Sequence, residues 1–286
     1  MKKILVTGAN GQLGQCLQKI SSQFEEFEFI FTDSETLDIT IKEEVNDFFW
    51  QNAPDFCINA AAYTAVDLAE TDVEKAFLVN ADGAENLAEA CAENNAQFIH
   101  VSTDYVFDGE NNLAYTEEDF TNPLGVYGAS KLAGDELALE VNPCSVILRT
   151  SWVYSEFGKN FVKTMLNLFA TKEELSIVAD QFGQPTNAND LAEAIMKIIK
   201  SEKITPGIFN FSNLGRISWF DFAEKIAELS EAKIKLNAIE TSQYPTPAKR
   251  PKNSVLDLDK ISKTYAIQLK PWEESLEDCV QILQNN

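Results

Sequence analysis

Lys3-Ile-Leu-Val-Thr-Gly8-Ala-Asn-Gly11-Gln-Leu-Gly14 lies at the start of the chain and decides its fold. The apolar run from 3 to 6 has the character of a buried strand, and the stretch from 11 to 22 has a helical period. Glycines three residues apart between them permit a tight turn, a close backbone approach to a pyrophosphate and close packing of helix on strand. The free N–H groups of the helix N-terminus favour an anion there. The stretch therefore predicts a dinucleotide site, although a glycine trio alone also fits a plain turn.

Apolar, β-branched runs alternate with helical patterns along most of the chain. The predicted strands span 3–6, 28–32, 56–59, 97–102, 145–150 and 208–211, and the predicted helices span 11–22, 73–94, 128–141, 160–171, 188–200, 218–229, 257–263 and 272–283. This alternation predicts an α/β fold with a Rossmann-like, doubly wound parallel sheet. Because it loosens after residue 152, we expect a dinucleotide-binding domain over 1–152, with return segments near 176–212. A smaller carboxy-terminal substrate-binding annex is expected mainly over 153–286.

The charge balance limits the partners that the chain can have. It has 286 residues with 23 Lys plus Arg against 45 Asp plus Glu, a net charge of −22. Nucleic-acid affinity comes mainly from cations that displace counterions, so a nucleic-acid partner is not expected. No apolar stretch approaches the length of a membrane span, and the five cysteines show no zinc or disulfide spacing. These features favour a cytoplasmic protein with a small-molecule partner.

The strongest chemical signal is the spacing of Tyr127 and Lys131. Residues four apart share one face of a helix, so the phenol and the ammonium would point the same way. A phenol has an ordinary pKa of about 10, and a nearby cation favours its ionised form. Thr103 follows a predicted strand, at the sheet edge where such sites gather, and can bind the reacting oxygen or the phenol. A surface pair at helical spacing is the alternative interpretation.

Asp33 indicates which dinucleotide is preferred. It follows the second predicted strand, nineteen residues after Gly14, where a carboxylate can accept hydrogen bonds from the adenosine ribose. No Lys or Arg occurs between 33 and 41 to neutralise a 2′-phosphate. The cofactor is therefore predicted to be NADH or NADPH, with NADH favoured, although a solvated loop acid would also fit Asp33.

Several motifs together resemble one family. They are Thr7–Gly14, Asn59–Asp67, Asn80, Ser102–Phe107, Tyr127–Lys131, Arg149–Tyr154, Asp180–Thr186 and Arg250–Ser254. Nearly end to end, the chain is similar to the dTDP-4-dehydrorhamnose reductase family of extended short-chain dehydrogenases. The first and fifth motifs mark only the superfamily, whereas the blocks that begin at Ala60, Arg149 and Arg250 narrow the resemblance to this reductase.

The resemblance implies a role for each matching residue. Tyr127 would donate a proton to the C4 oxygen of a nucleotide sugar, Lys131 would hold the nicotinamide ribose, and Thr103 would complete the catalytic triad. The implied cofactor-binding residues also include Tyr127 and Lys131, and the others are Gly8, Asn10, Gly11, Gln12, Leu13, Gly14, Asp33, Asp38, Ile39, Ala60, Ala61, Tyr63 and Asn80. The implied substrate-binding residues are Thr103, Asp104, Trp152 and Arg250, the last placed on the diphosphate because an acidic protein needs a local cation there.

Two alternatives stay open at this point. One is a related nucleotide-sugar reductase or epimerase, and the other is a non-catalytic, cofactor-binding regulatory subunit of the same fold. Gln15 is uncharged at a position where some relatives carry an acidic metal contact, so we predict no metal. A homodimer is one possible assembly. His100, the single histidine, is interpreted as a core residue, as are Trp219 and its aromatic neighbours on one helix.

Overall fold

A computed structural model describes residues 1–285 of the protein. Its strands are short, and all six predicted ones are present within two residues of their expected bounds. In chain order the strands are β1 Lys2–Thr7, β2 Phe27–Phe31, β3 Phe56–Asn59, β4 Gln97–Thr103, β5 Val146–Thr150, β6 Val153–Tyr154, β7 Glu174–Val178, β8 Phe182–Gly183, β9 Thr186–Asn187, β10 Gly207–Asn210, β11 Ile217–Ser218 and β12 Lys235–Ile239.

Helices fill most of the connections between these strands. In chain order they are α1 Gln12–Ser21, α2 Lys42–Asn52, α3 Val66–Ala69, α4 Val73–Phe77, α5 Gly83–Glu93, α6 Val126–Val141, α7 Phe161–Phe169, α8 Ala188–Ile199, α9 Trp219–Leu229, α10 Asp259–Tyr265 and α11 Trp272–Asn285. None of the helices within residues 1–285 is both long and apolar enough to cross a bilayer.

The central sheet has six strands in the order β10-β5-β4-β3-β1-β2, and all its pairs are parallel. From β1 the chain first adds β2 on one side and then returns to add β3 on the other side. The order therefore reverses between β1 and β3, and ligands bind at the carboxyl ends of strands beside such a reversal. This confirms the predicted Rossmann-like, doubly wound α/β fold.

The two faces of the sheet carry separate hydrophobic clusters. Ile4 and Val6 of β1 pack with α1 and α8 on one face, whereas Leu5 packs with α2, α5 and α6 on the other. Successive side chains of a strand point to opposite faces, so a continuous apolar run is needed where helices cover both faces. That requirement explains why these strands lack polar alternation.

A third cluster lies among α7, α9 and α11 rather than on the sheet. Its fully buried members include Phe222, Ile226 and Leu276. A capping box at Ser218 begins α9, because the Ser218 hydroxyl accepts from the Asp221 N–H at 3.1 Å and the Asp221 carboxylate accepts from the Ser218 N–H at 2.8 Å. These helices form a second packed layer near the carboxyl end of β5.

Three helical regions differ from the sequence prediction, and one of them is the four-residue helix α3, which was not predicted. The helix expected over 73–94 is interrupted by a π-helical turn at Leu78–Asp82, which separates α4 from α5. Helix α2 was missed, because only Val45 and Phe49 of its eleven residues are fully buried and its apolar pattern is weak. Their spacing of four was the one available signal.

Candidate active site

The glycine turn after β1 packs against the loop that follows β3. Gly8 has a φ of +67°, and a Cβ there would lie 2.6 Å from the Ala60 carbonyl oxygen. A Cβ on Gly14 would lie 2.4 Å from the Gly8 carbonyl oxygen. Both positions therefore require glycine, one for its conformation and both for a close backbone approach. The first turn of α1 is thereby held close to the end of β1, in agreement with the close helix-on-strand packing that the sequence predicted, and it lies beside the reversal of strand order.

A cavity of about 370 Å³ opens beside this turn at the ends of β1 and β2. Asn10 donates a hydrogen bond of 2.6 Å to Asp33, and the Thr36 hydroxyl is the main cause of the lowered pKa of that carboxyl group. Predicted cofactor residues that line this cavity are Gly8, Asn10, Gly11, Asp33, Asp38, Ile39, Ala60 and Ala61. Glu35 adds a third acid, and no Lys or Arg among residues 1–285 lines it.

A second cavity, of about 600 Å³, continues from the turn along the ends of β4 and β5. The predicted site residues that line it are Gly11, Gln12, Leu13, Ala60, Thr103, Asp104, Tyr127, Lys131 and Trp152. Helix α6 delivers the phenol and the amine, and β4 delivers the hydroxyl. The structure thus brings the predicted triad and the glycine turn into one space.

Tyr127 is half-buried at the start of α6, with Tyr105 edge-on at 5.7 Å between ring centroids. Burial raises the pKa of Tyr127 to about 12, and the Thr103 hydroxyl acts in the opposite direction. The same hydroxyl donates to Asp104 Oδ1 at 3.1 Å. Burial raises the pKa of Asp104 to about 7, and its Oδ2 has no partner within residues 1–285. Tyr127 therefore keeps its proton at neutral pH, whereas the Asp104 carboxyl group gains or loses its proton near neutral pH.

Lys131 is buried, with only 1% of its surface exposed. Its Nζ donates to the Val101 carbonyl oxygen at 2.7 Å and lies 3.0 Å from His100 Nε2. Burial lowers the pKa of Lys131 to about 8, while the Asp135 carboxylate acts to raise it. The amine can therefore change its charge near neutral pH.

A polar network lies behind Lys131, between the sheet and α6. His100 Nδ1 is 3.0 Å from the Asn59 amide nitrogen, and burial lowers the pKa of His100 well below its ordinary value. Asp135 accepts from Ser102 at 2.9 Å and from Arg149 Nε at 3.4 Å. Sequence reasoning placed His100 in the core, where it lies, but did not predict its contact with Lys131. A single apolar strand gives no signal for such a contact.

Trp152 and Trp219 form one wall of the larger cavity. Their rings stack at 3.5 Å between centroids, and Trp152 has a φ of +47°, which is uncommon for a bulky residue. A Cβ on Gly183 would lie 2.6 Å from the Trp152 ring. The sequence predicts Trp219 as a core residue, whereas in the structure it lines the larger cavity. Its position on α9 alone does not show that the chain around β6 and β8 places Trp152 against it.

Four predicted site residues line neither cavity: Gly14, which is packed against Gly8, and Tyr63, Asn80 and Arg250. Asn80 is buried, exchanges hydrogen bonds of 2.8 and 3.0 Å with the Tyr63 backbone and donates to Ser130 at 2.9 Å. The Tyr63 hydroxyl donates to Asp72 at 3.2 Å. Arg250 pairs with Asp67 through bonds of 3.1 and 2.8 Å. Asn80 thus supports the loop after β3 from behind.

Gln15 lies on α1, close to the glycine turn. Its side-chain amide donates to the Asn10 carbonyl oxygen at 2.9 Å. Within residues 1–285, no three His, Cys, Asp or Glu side chains are grouped as metal ligands would be.

Comparison with known proteins identifies the family. The model of the RmlD substrate binding domain family matches residues 1–285. A dTDP-4-dehydrorhamnose reductase of Aggregatibacter actinomycetemcomitans is 45% identical over 97% of this chain and 98% of its own. A Clostridium acetobutylicum dTDP-4-dehydrorhamnose reductase superposes with a TM-score of 0.94 at 43% identity, over 99% of both chains.

A dTDP-4-dehydrorhamnose reductase from Bacillus anthracis, solved in complex with NADP, has a TM-score of 0.95 at 39% identity. It covers 99% of this chain and 100% of its own. The glycine turn, the two joined cavities and the Tyr-Lys pair agree with these likenesses. The chain belongs to the dTDP-4-dehydrorhamnose reductase family and is an NAD(P)H-dependent oxidoreductase.

Proposed function

We propose that the protein reduces the C4 keto group of dTDP-4-dehydro-L-rhamnose to give dTDP-L-rhamnose, with Tyr127 as the proton donor. One observation carries the proposal: Thr103, Tyr127 and Lys131 line the same cavity as the glycine turn. A reductase needs its acid beside the cofactor site, and this cavity provides that arrangement. The relatives named above carry the same activity in their names.

The residues present fit a dinucleotide. Glycine is required at 8 and 14 by close backbone contacts, and the two cavities meet at Gly11 and Ala60. We assign the pyrophosphate to the turn from 8 to 14, the adenosine to the smaller cavity and the nicotinamide to the larger one. When bound, NAD(P)H supplies the hydride that the C4 carbon receives.

Tyr127 then completes the reduction at the C4 oxygen. With its pKa raised to about 12, the phenol keeps its proton at neutral pH. The C4 oxygen would become an alkoxide as C4 receives the hydride, and the phenol can give its proton to that alkoxide, which leaves a hydroxyl on the sugar and a phenolate on Tyr127. The phenolate that remains is stabilised by the Thr103 hydroxyl, once its proton turns from Asp104 to the phenol oxygen, and by the Lys131 ammonium when that amine is charged. Thr103, Tyr127 and Lys131 together thus control the transfer of the phenol proton to the C4 oxygen.

We propose that NADH is the preferred cofactor. Asp33, Glu35 and Asp38 line the smaller cavity without a cation from residues 1–285. A 2′-phosphate would meet these carboxylates, whereas ribose hydroxyls can donate to Asp33. The complex of the Bacillus anthracis relative contains NADP, so the preference has to be measured with both dinucleotides on this chain.

We assign the sugar nucleotide to the larger cavity between the sheet and the second layer. Asp104 would contact the sugar, and the Trp152 ring provides an apolar wall for it. Arg250 would have to leave Asp67 to reach the diphosphate. This assignment keeps the division into a dinucleotide-binding domain over 1–152, with return segments near 176–212, and a substrate-binding annex mainly over 153–286.

The free cysteines of the described chain agree with a cytoplasmic location.

The test is coupled turnover from dTDP-glucose with the upstream dehydratase and epimerase, in parallel with NADH and NADPH. Tyr127→Phe should lower kcat about 10²- to 10⁴-fold and leave the Kd for NADH within a few-fold, because only the proton donor is lost. Tyr105→Phe is the comparator, since this phenol borders the same cavity. Loss of turnover in Tyr105→Phe, together with near wild-type turnover in Tyr127→Phe, would assign the proton donor to Tyr105 instead.

A panel of other nucleotide sugars separates this activity from a related reductase or epimerase, and NADH binding without any turnover would indicate a regulatory subunit.

A further inference from the structure

The hydrogen bonds of His100 determine which ring nitrogen carries its proton. The ring is 1% exposed, with Asn59 Nδ2 at 3.0 Å from Nδ1 and Lys131 Nζ at 3.0 Å from Nε2. A neutral imidazole has one N–H and one lone pair. The identity of the partner on either side therefore settles the tautomer.

Asn59 has only one orientation that satisfies its own neighbours. Its Oδ1 accepts from the Thr7 hydroxyl at 2.8 Å and from the Ala61 backbone N–H at 3.1 Å. A backbone N–H can only donate, so the oxygen must face it and the amide nitrogen must face His100. Because that amide nitrogen also only donates, Nδ1 of His100 has to accept. The ring proton is then on Nε2.

This proton points at Lys131. An ammonium has no lone pair and cannot accept a hydrogen bond, whereas a neutral amine can accept one and still donate to the Val101 carbonyl oxygen at 2.7 Å. The arrangement of Asn59, His100 and Lys131 is therefore fully satisfied only when Lys131 is an amine.

Other charged groups that face this pair act in opposite directions. Asp135 Oδ1, on α6, is 3.8 Å from His100 Nε2 and favours a cation nearby. Arg149, on β5, contacts Asp135 at 3.4 Å and offsets that charge. Burial also raises the pKa of Asp135 above its ordinary value. The carboxyl group thus weakens the preference for the amine without removing the requirement set by Asn59.

We propose that His100 is a positioning residue that presents its Nε2–H to Lys131 and thereby stabilises the neutral amine of Lys131 in the protein without a dinucleotide. Its consequence for turnover rests on the proposed function: Lys131 must gain a proton before it can act as the cation beside Tyr127. The tautomer and the charge of Lys131 do not depend on any substrate.

The single histidine makes the tautomer directly measurable. In the full chain labelled with [¹⁵N]histidine, the two ring nitrogens give one pair of NMR signals, and the protonated nitrogen is identified by its chemical shift. At about pH 9, where the amine form is populated, Nε2 should be protonated and Nδ1 bare. As pH is lowered, the chemical shift of Nε2 should change in one step as Lys131 gains its proton. The midpoint of this step should lie clearly below the ordinary pKa of lysine, and the step should be absent in Lys131→Met. A proton on Nδ1, or an imidazolium at that pH, would overturn the proposal.

Asn59→Asp is expected to reverse the tautomer of His100. A carboxylate can accept from Thr7, Ala61 and a protonated Nδ1, so the ring proton should move to Nδ1 and Nε2 should become an acceptor for the ammonium. The midpoint of the titration step assigned to Lys131 should then move to a pH about one unit higher. Asn94→Asp, on the exposed end of α5, makes the same charge change and should keep the wild-type tautomer.

A folded Asn59→Asp protein that keeps its proton on Nε2 would refute the inference, and a thermal melt establishes whether it is folded. If the variant does not fold, the wild-type tautomer decides the question by itself. Failure of the proposed function is seen separately, as absence of turnover with dTDP-4-dehydrorhamnose in a protein whose His100 has the expected tautomer.

Discussion

Gly14→Ala tests whether helix α1 is held against the turn by backbone contact. The added Cβ would lie 2.4 Å from the Gly8 carbonyl oxygen and 2.6 Å from Ala9 Cα, and neither backbone atom can rotate away as a side chain could. Overpacking costs about 3 kcal/mol at the upper end of its usual range. Alanine returns about 1 kcal/mol as a better helix former than glycine. The net loss of about 2 kcal/mol should lower Tm by about 4 to 8 °C.

Gly11→Ala is the matched variant in the same turn. Its Cβ would meet only the Gly8 carbonyl oxygen, at 3.2 Å, and its φ of −75° is open to alanine. We expect a fall in Tm of only about 1 to 2 °C. Since Gly11 borders both cavities, this variant should instead lose NADH affinity, about tenfold or more.

The two variants are compared by thermal unfolding and by NADH titration calorimetry. Equal Tm values for Gly14→Ala and the wild type would show that the turn adjusts freely, and the packing argument would then fail. Wild-type NADH affinity in Gly11→Ala would remove the turn from the cofactor site.

Three further predictions concern the walls of the two cavities. Asp33→Asn should raise the ratio of kcat/KM for NADPH to that for NADH about tenfold, because one carboxylate no longer repels a 2′-phosphate; an unchanged ratio would contradict the NADH proposal. Gly183→Ala should displace the Trp152 ring and raise KM for the sugar nucleotide about tenfold while the Kd for NADH stays the same; an unchanged KM would take Trp152 out of the sugar site. Asp104 has its pKa raised to about 7, so the folded protein binds an extra proton and its stability falls as pH rises from about 4 to about 7. Asp104→Asn lacks this loss, so its Tm relative to wild type should increase between pH 5 and pH 8, and a constant difference would refute the assignment.

Local patterns in the sequence predicted the strands of the central sheet and most helices. Apolar runs such as Ile4–Val6 must be buried on both faces of a parallel sheet, so the pattern has few other interpretations. The weakly apolar α2 was missed. The π-helical turn at Leu78–Asp82 was not predicted either, because its composition does not distinguish it from an α-helix and its packing against α6 is a tertiary contact.

Part of the candidate site could also be predicted from spacing. Tyr127 and Lys131 are four residues apart, and helical geometry alone puts them on one face. Thr103 was predicted from its position directly after a strand, because ligand sites in parallel sheets lie at the carboxyl ends of the strands. The contacts of Arg250 with Asp67, and of Trp152 with Trp219, join residues far apart in the chain, and no local pattern contains them.

The sequence by itself determined the doubly wound fold, the glycine turn and the family, because each depends on residue types at short, fixed spacings. Only the tertiary structure decided the electrostatic state of the site. Burial raises the pKa values of Tyr127 and Asp104 and lowers that of Lys131. The proton of His100 is assigned by a contact with Asn59, on a neighbouring strand. Desolvation and hydrogen-bond direction are properties of the packed surroundings, so no stretch of sequence specifies them until β3, β4 and α6 have come together.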